Sequence, residues 1–168
     1  MYNLLKNWNE KRVSMPTSLN TMGVASSSGL LTRVEEERMD FMPHYFKEYM
    51  TYEQTMFGMM SQKSSSYTGG FWEFYHVENL KAPLMILGST EKKATISTCY
   101  EELDTDEVTV SLAVNLLTLN HLSFYFYDKG MEKEGDNCNN YYHTIYNKLD
   151  EICTELGADI KVIYEVLD

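Results

Sequence analysis

The sequence predicts an α+β protein, a small antiparallel β-sheet of three to four strands packed with several α-helices in a single domain. Three observations predict it. Apolar residues recur at helical spacing after residue 40 and again from 108 onward. Between them lie short strand-like runs bounded by turn residues. The connections between those runs are short, which favours an antiparallel meander. At 168 residues, 43% hydrophobic and 13% aromatic, the chain can bury one sizeable core.

Residues 1–29 carry one acid, Glu10, against Lys6, Lys11 and Arg12, and close on Ser26, Ser27, Ser28 and Gly29. They read as a poorly ordered N-terminal arm, with the domain proper spanning 30–168. Residues 30–34 fit a short strand. From Asp40, the spacing of Phe41, Met42, Tyr45, Phe46 and Tyr49 predicts a helix, with Pro43 in its first turn. Thr51 followed by Gln54 resembles a capping box that restarts a helix bearing Tyr52, Met56, Met59 and Met60.

Residues 64–70 read as a turn, and 71–78, 83–87 and 94–100 as three strands. Asp104, with Glu107 three residues on, marks the start of a long apolar helix ending near Gly130. The apolar stretch 108–127 is interrupted by Thr109, Ser111, Asn115, Thr118, Asn120, His121 and Ser123. That is the pattern of a buried helix and not of a membrane span. Residues 135–140 read as a loop. A clear stripe of Tyr142, Ile145, Tyr146, Leu149, Ile152, Cys153 and Leu156 then runs to Gly157. The tail 158–167 fits a helix through Val162, Ile163, Val166 and Leu167, and also a strand by alternation; the helix is preferred.

Net charge is −11 and the pI near 4.8. That balance argues against direct binding to phosphate backbones, which needs an excess of Lys and Arg. Between 91 and 109 there are six acids against two lysines, and between 128 and 168 ten against four. Cys99, in a strand, Cys138, in a polar loop, and Cys153, on the apolar stripe, form no CxxC pair. They suggest reduced thiols in a cytoplasm, and no signal-peptide pattern precedes them. The histidines, His44, His76, His121 and His143, are scattered and form no HxH, HExxH or Cys/His cluster. Phosphate-binding glycine loops and a GxSxG elbow are absent. Glu101, Glu102, Asp104, Asp106 and Glu107 fall in a loop and helix start, where solvent and the helix dipole favour acids. The reading is a protein without catalytic residues, metal or cofactor.

Three segments are more specific together than singly. RMDFMPHYF (38–46) is close to an Arg-x-x-Phe-Leu-Pro-x-x-Phe opening. A helix after Thr51 follows, with Glu53 and then Phe57, Gly58, Met59 and Met60. YTGGFWEFYHVEN (67–79) matches Tyr-x-Gly-Gly-x-Trp-x-Phe-Tyr-x-x-x-Asn. This order resembles the antirestriction proteins of the ArdB/KlcA family, carried on plasmids and genomic islands. After Asn79 the family pattern turns to glycines and an aromatic, whereas this chain reads Leu80, Lys81, Ala82, Pro83.

The resemblance implies a small cytoplasmic protein, not an enzyme, that relieves type I restriction of incoming plasmid or mobile-element DNA. Its partner would be the restriction-modification complex or an associated host factor, with no direct nucleic-acid or membrane contact. The matching positions are Phe41, Pro43, Phe46, Tyr67, Gly69, Gly70, Trp72, Phe74, Tyr75 and Asn79, read mostly as scaffold. Gly69 and Gly70 would supply positive φ, the aromatic run 71–75 would fill both faces of a buried strand, and Asn79 would end it in a turn. The five acids at 101–107 are the candidate partner surface, in the cruder version as a mimic of DNA phosphates. The alternative is a single-stranded nucleic-acid module using 71–75 as a stacking platform, although residues 64–79 contain no Lys or Arg.

Overall fold

The computed structural model describes residues 29–36 and 38–168, whose helices and strands close on one hydrophobic core. The arm expected at 1–29 lies, Gly29 apart, outside the described residues. The α+β class holds: among the described residues six helices accompany a three-stranded and a two-stranded antiparallel sheet.

The larger sheet has the order β1 (Leu31–Arg33), β2 (Trp72–Val77), β3 (Ala82–Leu87). Trp72 pairs with Leu87, Val77 with Ala82, and Leu31 with Val77. Every residue of β3 is buried, as the unbroken apolar run APLMIL requires. β2 is buried only at Trp72 and Val77, so the strand expected to be buried on both faces is half-buried through its middle. One face carries Glu73 and Tyr75, which meet Arg33 at the surface; the other turns Phe74 and His76 toward Phe41. The connecting turn holds Glu78, Asn79 and Leu80 at φ of 44°, 53° and 70°. Three successive left-handed residues are uncommon outside glycine, and asparagine tolerates the conformation best.

The sheet stops at β3 because a helix occupies its outer edge. The Leu87 amide donates to Ser111 Oγ (3.0 Å) and the Met85 amide to Asn115 Oδ1 (3.2 Å). Asn115 Nδ2 donates back to the Met85 carbonyl (2.6 Å). Both side chains belong to α3 (Glu107–Asp128). Four helical residues rise about 6 Å and two strand residues about 6.6 Å, so polar groups at i and i+4 meet alternate strand amides. The next outward position on β3 is Pro83, which has no amide to satisfy, and accordingly α3 continues with leucine at 119. This explains why Ser111 and Asn115 are wholly buried in a largely apolar helix. α3 is the one helix among the described residues long and apolar enough to cross a membrane, and 72% of its most apolar window is buried inside the protein.

With that edge closed, β4 (Lys93–Ser97) cannot extend the meander. It pairs instead with β5 (Glu102–Asp106) as a separate hairpin. The acidic segment expected to be loop is therefore a strand, and the α3 cap is Asp106, not Asp104. Asp106 Oδ1 accepts from the Thr109 amide at 2.9 Å.

The helices also differ from expectation in detail. α1 (Arg38–Tyr45) begins two residues before Asp40, so Pro43 lies beyond the first turn and the helix ends two residues later. α2 (Tyr49–Lys63) starts before Thr51. The Thr51 and Tyr52 amides donate to the Glu48 carbonyl at 3.0 and 3.2 Å, so no Thr51 capping box forms. α4 (Glu132–Tyr146) runs through the expected loop, and Cys138 is buried on it. Gly135 is what lets α4 lie close to α3, because a Cβ there would fall 2.8 Å from the Tyr127 ring. The expected stripe continues but breaks into α5 (Leu149–Leu156), which ends on Gly157 at φ 74°. The tail is helical, α6 (Ile160–Leu167), capped by Asp159.

Candidate functional site

Two regions carry the residues singled out from the sequence. The first is an aromatic cluster where α1 crosses β2. Phe41 lies 5.2 Å from Tyr45, 5.0 Å from Phe74 and 5.1 Å from His76, centroid to centroid. Phe46 stacks on Tyr52 at 4.3 Å and meets Tyr141 edge-on at 5.4 Å. Trp72 is buried between Phe57 (5.7 Å) and Tyr67 (6.3 Å). Contacts of this geometry each add about 1 kcal/mol beyond burial. Tyr75 is held by a 2.8 Å bond to Glu73; burial first, then that carboxylate, pushes its hydroxyl up to about 12.

The glycine pair divides its roles. Gly69 has φ 91°, whereas Gly70 has ordinary φ and is small because a Cβ would fall 2.5 Å from Leu87 Cδ1. The turn delivers Phe71 to the surface, 70% exposed, beneath the Arg38 guanidinium at 4.1 Å. Arg38 also donates to the Trp72 carbonyl. Pro43 and Asn79 are exposed.

The structure brings two histidines together, His44 and His76, with ring centroids 6.5 Å apart. Their separation in sequence gave no sign of this. Tyr45 Oη lies 2.5 Å from His76 Nδ1. Burial, then Tyr141, raises the Tyr45 pKa, so the hydroxyl keeps its proton and donates to a neutral imidazole. Burial, then His44, lowers the His76 pKa below its usual value. A histidine depressed in the folded state stabilises the fold fully above the unfolded pKa, near 6.5, and that stability is lost as pH falls below it. The expected result is a urea midpoint that drops from pH 7.5 to pH 5.5 more steeply in the native chain than in His76→Gln. Parallel pH dependences would show that His76 contributes nothing.

The second region is the β4–β5 hairpin. Glu102 and Asp104 share one face of β5, opposite Ser97 and Thr95 of β4, and both are exposed, as is Glu101 in the turn. Glu102 accepts from the Ser65 hydroxyl, and hydrogen bonds from Ser65 and then Thr95 lower its pKa, which keeps it ionised. The turn is fixed by Thr98, whose Oγ accepts from the Tyr100 (3.1 Å) and Glu101 (3.0 Å) amides. It leaves Tyr100 96% exposed. The other two acids turn away from this surface. Asp106 caps α3, and Glu107 is largely buried, 2.8 Å from Lys92 Nζ, with Oε2 against Gly88.

The thiols have no common site. Cys99 is exposed in the hairpin turn just past β4, while Cys138 and Cys153 are buried, and burial pushes their thiols up to about 12 and about 11. Among the described residues no three His, Cys, Asp or Glu side chains gather to hold a metal.

No family model and no curated protein matches the chain. A solved structure does, with a TM-score of 0.63 over 82% of this chain and 95% of that one, at 20% identity. It belongs to the KlcA and ArdB proteins, described as having a novel fold and antirestriction activity against type I DNA restriction systems in vivo but not in vitro. This chain has the KlcA/ArdB fold. Within it, the sequence pattern 38–79 supplies α1, α2 and β2, and its aromatic residues are the ones that join these three elements. Arg38 and His76 lie inside the segments 38–46 and 67–79 but were not singled out by sequence reasoning, and Tyr141 lies outside them; all three complete the aromatic cluster.

Proposed function

We propose that this protein relieves DNA restriction by type I systems, as an interaction protein and without a catalytic step. The observation that carries the reading is the fold shared with proteins of that activity over nearly the whole of the solved chain. Activity in vivo but not in vitro, recorded for those proteins, is what dependence on a further cellular component produces. A host factor, or the restriction complex in its cellular setting, is accordingly the partner. The β4–β5 hairpin is the surface offered to it. Glu101, Glu102 and Asp104 supply charge, while Asp106 and Glu107 hold the hairpin to α3.

Single-stranded nucleic-acid binding through 71–75 is the weaker reading. Trp72 is buried, Phe74 and Tyr75 are half-buried, and Phe71 already stacks on Arg38.

The test is a plating assay with unmodified phage on cells with an active type I system, with and without the protein. Plating is expected to recover, and to recover less with the E101Q/E102Q/D104N variant at equal expression. Unchanged restriction at confirmed expression overturns the proposal. Full activity of the triple variant removes the hairpin from it.

A further inference from the structure

We infer that the cavity between the α1–α2 junction and the first turns of α4 receives the guanidinium group of an arginine from a partner protein. The cavity measures about 190 Å³. That is below the ~300–1,000 Å³ of sites that bury small-molecule ligands, and it suits one inserted side chain. Tyr45, Phe46 and Phe126 line it, with the acidic residues Glu48, ahead of α2, and Glu134, in the first turn of α4. Asn137 adds an amide. The site is separate from the hairpin, and the inference does not rest on the antirestriction reading.

Lys47 and Lys133 also border the cavity, so an anionic guest has to be weighed. Burial separates the two cases. Glu48 and Glu134 are half-buried, whereas both lysines are exposed, and a lysine stem readily carries its ammonium out to water. Among the described residues neither carboxylate has an ion-pair partner within 4.0 Å, so both are free to take one. Three aromatic residues line the cavity, and a cation held over the face of such a ring is attracted by its quadrupole. The net charge of −11 draws cationic partners in the same direction. Arginine fits better than lysine because its planar group stacks on rings and forks to carboxylates.

The experiment titrates the full chain with N-acetyl-arginine amide and follows the ring resonances of Tyr45, Phe46 and Phe126 by NMR. N-acetyl-citrulline amide serves as the uncharged isostere and N-acetyl-glutamate amide as the anion. Saturable shifts are expected with the arginine derivative alone. E48Q and E134Q should each weaken binding severalfold, and the K47Q/K133Q variant should leave it unchanged or tighter. These are surface-charge changes, and unaltered amide spectra elsewhere confirm folding. No saturable shift, an equal response to citrulline, or a stronger response to the glutamate derivative overturns the inference.

Discussion

Asn115→Leu is expected to cost the protein about 4 kcal/mol, more than a typical core substitution. Asn115 is fully buried and serves four partners. It accepts from the Met85 amide and the Tyr52 hydroxyl, both at 3.2 Å, and donates to the carbonyls of Met85 (2.6 Å) and Ser111 (2.7 Å). Leucine has similar volume but leaves three of these groups, the Met85 amide and carbonyl and the Tyr52 hydroxyl, with no partner and no route to water. Each orphaned buried group costs about 1–3 kcal/mol, partly offset by the added apolar burial. Urea titration should show a lowered midpoint at unchanged slope. Asn120→Leu, on the same helix but exposed, is the control and should shift stability by less than about 0.5 kcal/mol. Equal losses at the two positions would mean that helix content, and not the strand edge, is what Asn115 supports.

Gly88→Ala is expected to cost about 3 kcal/mol, from two separable sources. Gly88 has φ +68°, a conformation costing a residue with a side chain about 1–2 kcal/mol. In addition, the new methyl would lie 1.5 Å from Glu107 Oε2, 2.6 Å from Cδ and 2.9 Å from Cβ. Glu107 would have to leave Lys92, its partner at 2.8 Å. A double-mutant cycle divides the two. With Glu107→Ala already in place the clashes with Oε2 and Cδ are gone and only the 2.9 Å approach to Cβ remains, so Gly88→Ala should cost little beyond the backbone share, about 1–2 kcal/mol. The same cost in both backgrounds would mean that Glu107 moves aside freely.

Much of this architecture is legible in the sequence where a single periodicity dominates. Residues 83–87, a short apolar run between turn residues, read as a buried strand, and 108–127 as a buried helix; the observed elements are Ala82–Leu87 and Glu107–Asp128. The errors fall where composition and environment disagree. ELDTD looks like solvated loop, yet its alternation of acid with Leu103 and Thr105 gives it one wet face and one that packs. GDNCNN looks like a turn, but its glycine is there for closeness to Tyr127, and only Cys138 of its remaining residues is buried. The third-strand error has a tertiary cause. Whether β4 could join the meander depended on Ser111 and Asn115, which read in sequence only as interruptions of an apolar helix. The aromatic signature was legible as a pattern; its joining to His76, Arg38 and Tyr141 required the fold. Of the acidic run, sequence gave the charge, but not the inward turn of Glu107, which depends on the glycine at 88.

The seal along β3 also limits how the gene can change length. Ser111 and Asn115 engage Leu87 and Met85 because the spacing of two helix residues matches that of two strand residues. One residue inserted between 111 and 115 would swing everything beyond it about 100° around the helix. Val114, or the inserted residue itself, would then face the Met85 amide while Asn115 turned away from it. An exposed loop without such contacts can grow or shrink by single codons at small cost. This four-residue interval cannot, and any descendant that altered it would have to rebuild the strand edge in the same step.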